Sequence, residues 1–416
     1  MKKIYFDNAA TTLLDPRVLR AMTPYLKNNY GNASSIHSLG QAAKRAVEKA
    51  RETIADFINA KPEEIAFTSG GTEANNLVIK GIAQTYHDLG RHIIISSIEH
   101  EAVLNPCKFL EKQGFKITYL KVNNKGLIDL KELEKAMTDQ TVLISIMQAN
   151  NEIGTIEPIA EIGQIIKKIN QERKNKKIRT PIYFHSDAVQ TFGHLPIDVN
   201  KLCLDFLSAS AHKFYGPKGV GMLYHRAGIK INSLIHGGGH EHGWRSGTEN
   251  VAGIVGFAKA VELAKEEMLG ESQRLEAWRD DFIKKLIKKI SGISLNGHPN
   301  LRLPNNVNFS IKGVEGEAVL LYLDQKGIAC STGSACSSHS LQPSHVLLAL
   351  GKTAEEAHSS LRFTSGRFNK KSDFEKLLKI LPLIVSRLRK ISPIWQKNFD
   401  NKKKCQARSC LLKNKI

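Results

Sequence analysis

The chain has 416 residues, of which 41% are hydrophobic and 24% charged, with 31 glycines and a formal net charge of +20. At roughly 150 residues per domain this length suggests two or three domains, and the composition excludes a disulfide-stapled miniprotein, a collagen-like chain and a disordered one. Apolar runs such as Leu381–Val385 fall far short of the ~20 residues of a membrane span, so no membrane segment is expected.

At the amino end Met1–Phe6 reaches Asp7 before an apolar stretch of secretory length can form; no signal peptide is expected, and the cytosol is the expected compartment. From Leu39 to Ala60, Ala43, Val47, Ile54 and Ile58 recur at helical spacing. Ile65–Thr68 reads as a short buried strand, followed by a glycine pair and a helix through Leu89. The alternation continues with strands at His92–Ser96, Lys116–Val122, Val142–Met147 and Ile182–His185. Helices are expected at Ala102–Lys112, Leu130–Met137 and Ile159–Ile169. Continuous apolar strands alternating with helices predict a mainly parallel sheet covered on both faces, with ligands at the carboxyl ends of its strands.

After Gly247–Gly253 a long helical stretch, Ile254–Ile290, leads into a second region. Its candidate strands are Asn306–Ile311, Ile328–Cys330 and Leu361–Thr364, and its candidate helices Gly316–Gln325, His345–Leu350 and Asp373–Arg389. This reads as a smaller α+β domain joined by the amino-terminal segment. The expected division is 15–255 for the large domain and 1–14 with 256–396 for the small one. A mobile loop at about 328–342 and a basic, flexible tail at 397–416 complete it.

The charge is concentrated. Between Lys167 and Arg179 seven basic residues face Glu172 alone, and after Trp395 six Lys and one Arg face Asp400. Like-charge blocks of this kind are solvated surface or tail, and without an aromatic-interleaved basic motif nucleic-acid binding is not the expected function. No two of the six cysteines form a C-x-x-C pair, which argues against a zinc site.

Four strand ends carry unusual residues. In SAHKFYGPKG (Ser210–Gly219) a lysine, Lys213, follows the apolar run Leu202–Leu207; in a pocket it can form a Schiff base, although Lys218 competes for the role. In TSGGTEANN (Thr68–Asn76) Gly71 and Thr72 open a helix and suit a phosphate. In FHSDAVQTFG a strand end presents Asp187, fit to hold a protonated ring nitrogen, and then Gln190. In SSIEHEAV it presents His100, fit to stack on a flat cofactor or move a proton. Each alone has an ordinary structural reading: a surface lysine, a helix cap, a packed histidine. The loop Gly327–Gly351 surrounds Cys336 with small polar residues, which leaves its thiol accessible, whereas Cys330 reads as packing.

The combination resembles a known family. DNAATT (Asp7–Thr12), GNASSIHSLG, SGGTEANN, IEHEAV, NNEIGT (Asn150–Thr155), SDAVQ, SAHKFYGPKG, HGGGHEHGWRSGTEN (His236–Asn250), GSACSS and RFTSGR (Arg362–Arg367) occur in one order from about Ile4 to Trp395. Together they resemble the cysteine desulfurases of the NifS/IscS class, pyridoxal-phosphate enzymes of fold type I. That resemblance implies an α/β architecture whose large domain holds a mainly parallel seven-stranded sheet covered by helices, with a smaller α+β carboxyl-terminal domain.

By the same resemblance Lys213 carries pyridoxal phosphate through its amine, Asp187 pairs with the ring nitrogen, Gln190 contacts the phenolic oxygen and His100 stacks on the ring. Gly71, Thr72, Ser210 and His212 hold the phosphate, joined by Thr248 from the second subunit of a homodimer. Asn151 lies near cofactor and substrate, and Arg362 clamps the substrate carboxylate. The implied reaction takes sulfur from L-cysteine, leaving L-alanine and a persulfide on Cys336, which a hydroxyl could not store. The implied acceptors are iron–sulfur scaffold proteins of the NifU or IscU kind, with Cys336 as a transient cluster ligand shared with the scaffold. Two stretches depart from the family pattern: Lys167–Arg179, expected to be a surface insertion, and the tail with Cys405 and Cys410. A selenocysteine lyase or another fold-type-I aminotransferase is the alternative reading, and the accessible Cys336 argues against it.

Overall fold

The computed structural model describes residues 3–332, 342–392 and Trp395. A short strand, β1 (Ile4–Tyr5), precedes helix α1 (Pro16–Lys27), which Asp15 caps by accepting the Arg17 N–H; Pro16 at the first helical position has no N–H to satisfy. Helix α2 (Ser38–Phe57) buries Ala43, Val47 and Ile54, the stripe read from the sequence. The strand and helix alternation follows as expected: β2 (Ile65–Thr68), α3 (Gly71–Tyr86), β3 (His92–Ser96), α4 (Glu101–Glu111), β4 (Lys116–Leu120), α5 (Leu130–Ala136), β5 (Thr141–Ser145), α6 (Ile159–Asn175) and β6 (Tyr183–Asp187). Then come β7 (Phe206–Ser210), β8 (Gly221–His225) and the helix α7 (Val251–Lys289), long enough to run from one apolar cluster into another.

Seven strands form one sheet in the order β2-β8-β7-β6-β5-β3-β4. Pairs β3–β4, β3–β5, β5–β6 and β6–β7 are parallel, while β8 runs antiparallel to both of its neighbours, β2 and β7. Strand β8 was not foreseen, because GMLYH is short and follows directly on a glycine-rich turn. Successive strand residues feed different cores: Ile93, Leu143 and Phe206 pack with α3 and α4, whereas Ile94, Ile144 and Leu207 pack with α2 and α6. Both faces of the sheet are therefore covered, which is why its strands lack polar alternation.

The remaining elements are β9 (Ile293–Leu295), β10 (Asn306–Ile311), α8 (Gly316–Gln325), β11 (Ile328–Ala329), α9 (His345–Ala349), α10 (Ala354–His358), β12 (Ser360–Thr364) and α11 (Lys371–Ile391). Strands β12-β10-β9 form an antiparallel sheet, and β1 returns to pair in parallel with β11. Phe6 packs edge-on against Phe374, 4.9 Å between ring centroids, in a cluster with Phe282, Phe309 and Phe363. The amino-terminal segment is thus held by the second core.

The basic stretch Lys167–Arg179 forms the last turns of α6 and its exit, and six of its seven basic residues are exposed or nearly so. Arg173 corrects the expectation of a purely surface segment: it is buried and donates to the carbonyls of Thr138, Thr141 and Thr180. Among the described residues no helix is long and apolar enough to cross a membrane.

Buried titratable groups set a pH dependence. Burial raises Glu99, Glu152 to about 7 and Glu157 to about 8, and it lowers His92 to about 4, His185 to about 3 and His225 to about 4. An acid with a raised folded pKa binds more protons when folded, so its contribution is lost as pH rises from its unfolded value of about 4.5 through the folded one. A histidine with a lowered folded pKa contributes stability that is lost as pH falls from about 6.5 through the folded value. The two sets offset each other between about pH 4.5 and 6.5. Thermal melts of the full chain should therefore show Tm declining both above and below that window; a Tm that climbs steadily from about pH 6.5 to about 8 would contradict this.

Candidate active site

The DNAATT segment lies over the turn that follows β7. Thr12 donates to the His212 carbonyl through both its N–H and its hydroxyl, each at 2.9 Å, and its hydroxyl oxygen accepts the Tyr215 N–H at 2.7 Å. His212 Nδ1 meets the Thr11 hydroxyl at 3.0 Å. Within this clasp Lys213, at the end of a 3₁₀ turn (Ala211–Lys213), directs Nζ to the carbonyls of Ala9 (2.6 Å) and Ala10 (2.8 Å). His194 Nε2 donates to the Lys213 carbonyl at 3.0 Å. Lys218, the competing lysine, is exposed. Burial, with Lys213 and Lys218 nearby, pushes His212 down to about 4, so this imidazole is neutral near pH 7.

Asp187 ends β6 and is buried. Its Oδ2 accepts from Asn75 Nδ2 at 2.6 Å and its Oδ1 accepts the Val189 N–H at 2.9 Å, two donors that hold a carboxylate without neutralising it. Gln190 follows in the turn and donates to the Ala9 carbonyl at 3.0 Å, the oxygen that Lys213 also binds. His100 sits at the amino end of α4 and does cap it, accepting the Ala102 N–H on Nδ1 at 3.1 Å. The structural and the chemical readings of this histidine therefore coexist. With Nδ1 occupied as an acceptor, a neutral ring carries its proton on Nε2. Burial lowers its pKa, Asp187 raises it and Lys213 lowers it, which ties the three side chains into one electrostatic neighbourhood.

The amino end of α3 begins at Gly71, and Gly70 caps it without a side-chain bond. A Cβ on Gly71 would lie 2.5 Å from Val189 Cγ2 and 3.9 Å from Ser210 Cβ, so only glycine lets this helix end approach the turns after β6 and β7. The first N–H groups of a helix have no partner inside it, and Thr72 stands exposed beside them. Glu73 accepts the Ser69 N–H at 2.7 Å and pairs with Arg245 at 2.8 Å. Thr248 is exposed on the same loop as Arg245. That loop is anchored further back by a buried pair, Arg51 to Glu241 at 2.8 and 3.0 Å.

Arg362 lies in β12 with 2% of its surface exposed, donating to Asp7 Oδ1 and to the Asn151 carbonyl, both at 2.9 Å. Its Nε–H is buried with no acceptor among the described residues, an edge that suits an incoming carboxylate. Cys336 lies outside the described residues. Cys330 is buried, and its thiol is pushed up to about 12 by burial, so it packs rather than reacts.

Residues 4–377 match the aminotransferase class-V family. Similar proteins include a cysteine desulfurase IscS of Dictyoglomus turgidum, 54% identical over 402 residues and covering 97% of this chain and 99% of its own length. Among solved structures, a NifS-like protein superposes with a TM-score of 0.85 at 40% identity, over 92% of this chain and 99% of its own. SspA in complex with cysteine does so at 0.76 and 38%, over 88% and 100%. The chain belongs to the class-V aminotransferases, among the cysteine desulfurases. The seven-stranded, fold-type-I architecture of this desulfurase and its dependence on pyridoxal phosphate go with that membership.

The residues present fit that cofactor. A buried carboxylate at Asp187 suits a protonated ring nitrogen, the α3 amino end with Ser210 and His212 suits a phosphate, and the Lys213 amine lies in the same neighbourhood. Of the expected site residues, the fold gathers Lys213, Asp187, Gln190 and His100 with the α3 end, Ser210 and His212, and it links Asn151 to Arg362. It leaves Thr248 apart on its exposed loop. Three contributors were missed: Asn75 against Asp187, the carbonyls of Ala9 and Ala10, and His194. Asn75 lay inside a quoted motif, but its partner is 112 residues away; the carbonyls carry no side-chain signal at all.

Proposed function

We propose that this desulfurase removes sulfur from L-cysteine through Lys213, His100 and Arg362 and stores it on Cys336 before passing it to an iron–sulfur scaffold protein of the NifU or IscU kind. The observation that carries the proposal is the convergence of Lys213, Asp187 and His100 at the ends of parallel strands, supported by the SspA relative that holds cysteine. Bound pyridoxal phosphate supplies an electron-withdrawing ring that accepts electron pairs from the substrate carbons.

Asp187 keeps a negative charge opposite the ring nitrogen, and Gly71, Thr72, Ser210 and His212 hold the phosphate. Arg362 orients the cysteine carboxylate, with Asn151 fixing one of its nitrogens. The Lys213 amine takes the proton from the substrate α-carbon, and the Nε2–H of His100 is placed to give or take a proton beside it. The Cys336 thiolate then forms a sulfur–sulfur bond with the substrate sulfur as the carbon–sulfur bond breaks. The electron pair leaves with the carbon, which is protonated on the way to alanine, so no outside oxidant is needed.

The reading extends to assembly. A homodimer in the cytosol, with Thr248 reaching the partner's phosphate site, accounts for Leu13, Leu26, Tyr30 and Ile36, all exposed on the amino-terminal segment, Ile36 at 93%. Of the expected division, 15–255 against 1–14 with 256–396, two apolar clusters support the pairing of the amino-terminal segment with the second unit, since Ile4 and Phe6 join residues 282–388; the first cluster runs from Val18 past 255 to Ala264. Holoenzyme given L-cysteine, a reductant and an apo-scaffold should form alanine and transferred sulfur in equal amounts. Alanine formed with its sulfur released directly and none carried on Cys336 would refute the persulfide route, and activity with selenocysteine alone would favour a lyase.

A further inference from the structure

Glu152 lies in the turn after β5, fully buried, and the mechanism above does not use it. Its Oε2 accepts the Ser344 hydroxyl at 2.5 Å, and Ser344 in turn caps α9 by accepting the Leu347 N–H at 3.2 Å. Its carbonyl accepts from Asn306 (3.2 Å) and Asn308 (3.0 Å) of β10. The neighbouring Asn151 carbonyl binds Arg362, whose backbone exchanges hydrogen bonds of 2.7 and 3.2 Å with Ser331. One turn therefore meets the arginine of the substrate site and, at Ser344, one flank of residues 333–341 directly, and it reaches the other flank, Ser331, through that arginine. A Cβ on Gly154, at φ +74°, would lie 2.7 Å from the Asn306 side chain, so the turn can take no other residue there without shifting.

We propose that Glu152 is a positioning residue for sulfur removal: its carboxylate fixes Ser344, and with it the flank leading back to Cys336, relative to Arg362. This rests on the roles given above to Arg362 and Cys336. The Ser344 hydroxyl has one proton and its oxygen already receives the Leu347 N–H, so the proton goes to Glu152, and a carboxylate there accepts it more strongly than the neutral acid does. The charged groups facing Glu152 are Arg362 from β12 and Glu101 from α4, while β10 offers Asn306 and Asn308 and the α9 cap offers Ser344. Burial holds the carboxyl at about 7 against the pull of Ser344 and Arg362. Turnover should thus rise as Glu152 ionises.

The test is steady-state alanine formation from L-cysteine by holoenzyme across about pH 6 to 9. Glu152→Ala and Ser344→Ala should each lower kcat about tenfold with KM within about twofold, the scale of losing one charge-assisted hydrogen bond. The double variant should be no worse than the poorer single one, because both remove the same bond. Ser344→Thr should restore most of kcat. Glu152→Gln, a neutral acceptor, should match the parent's low-pH kcat and lack the rising limb near pH 7 that the parent shows. Should Glu152→Ala lose its cofactor absorbance through misfolding, Glu152→Gln and Ser344→Ala decide alone. Parental kcat and pH profile in these variants, or strictly additive losses, overturns the proposal while leaving desulfuration intact. A parent enzyme that forms no alanine from L-cysteine overturns the functional reading itself.

Discussion

Lys213→Ala should lose alanine formation by a factor on the order of 10⁴ while the fold survives, because the residue supplies both the cofactor's anchor and the base for the α-proton. Its amine is held by the carbonyls of Ala9 and Ala10 at 2.6 and 2.8 Å, and the Ala9 carbonyl keeps Gln190 as a donor in the truncated variant, so one polar contact is lost rather than a core emptied. A modest fall in Tm is the expected structural cost. Borohydride should lock pyridoxal phosphate onto the parent enzyme, on the peptide containing residue 213, and should leave none on the variant. Lys218 is the alternative anchor, and it is exposed; Lys218→Ala should behave as the parent does. If label remained on Lys213→Ala and vanished on Lys218→Ala, the assignment would be reversed.

Cys336→Ala should separate the two halves of the chemistry. Ring, phosphate and lysine are assigned to other residues, so absorbance and borohydride labelling should match the parent. Sulfide and alanine release should fall by at least ~10³, the scale of removing a covalent nucleophile. Cys330 cannot substitute, since it is buried and its thiol is pushed up to about 12. Cys336→Ser should be as inactive as the alanine variant, because a hydroxyl cannot hold the sulfur in an exchangeable bond. Undiminished release from either variant would refute the persulfide step.

Much of this was legible in the sequence because the large sheet writes itself twice. Apolar runs such as Ile93–Ile95 and Leu143–Ile144 supply strands whose alternate residues feed two cores, and the chemistry-bearing residues sit just past each run. The start of α5 at Leu130 was readable, and Asp129 caps it, whereas α10, which Thr353 caps, was not foreseen. What stayed hidden depends on pairings across long stretches of chain. The antiparallel β8 is a five-residue strand whose place between β2 and β7 no local pattern announces. Asn75 reaches Asp187, and Glu152 reaches Ser344 across 192 positions; in each case the polar residue looks like an ordinary helix or turn residue until the partner is seen. Arg173 was hidden among basic neighbours, although its guanidinium fills a socket of carbonyls.

The central claim joins a lysine-anchored cofactor to one thiol, and mass spectrometry of the protein after brief exposure to L-cysteine without reductant tests it most directly. The account predicts the added mass of a single sulfur atom, localised after digestion to the peptide containing Cys336 and absent from Lys213→Ala. Sulfur found instead on peptides containing Cys405 or Cys410, or alanine formed with no sulfur on the chain, would contradict it.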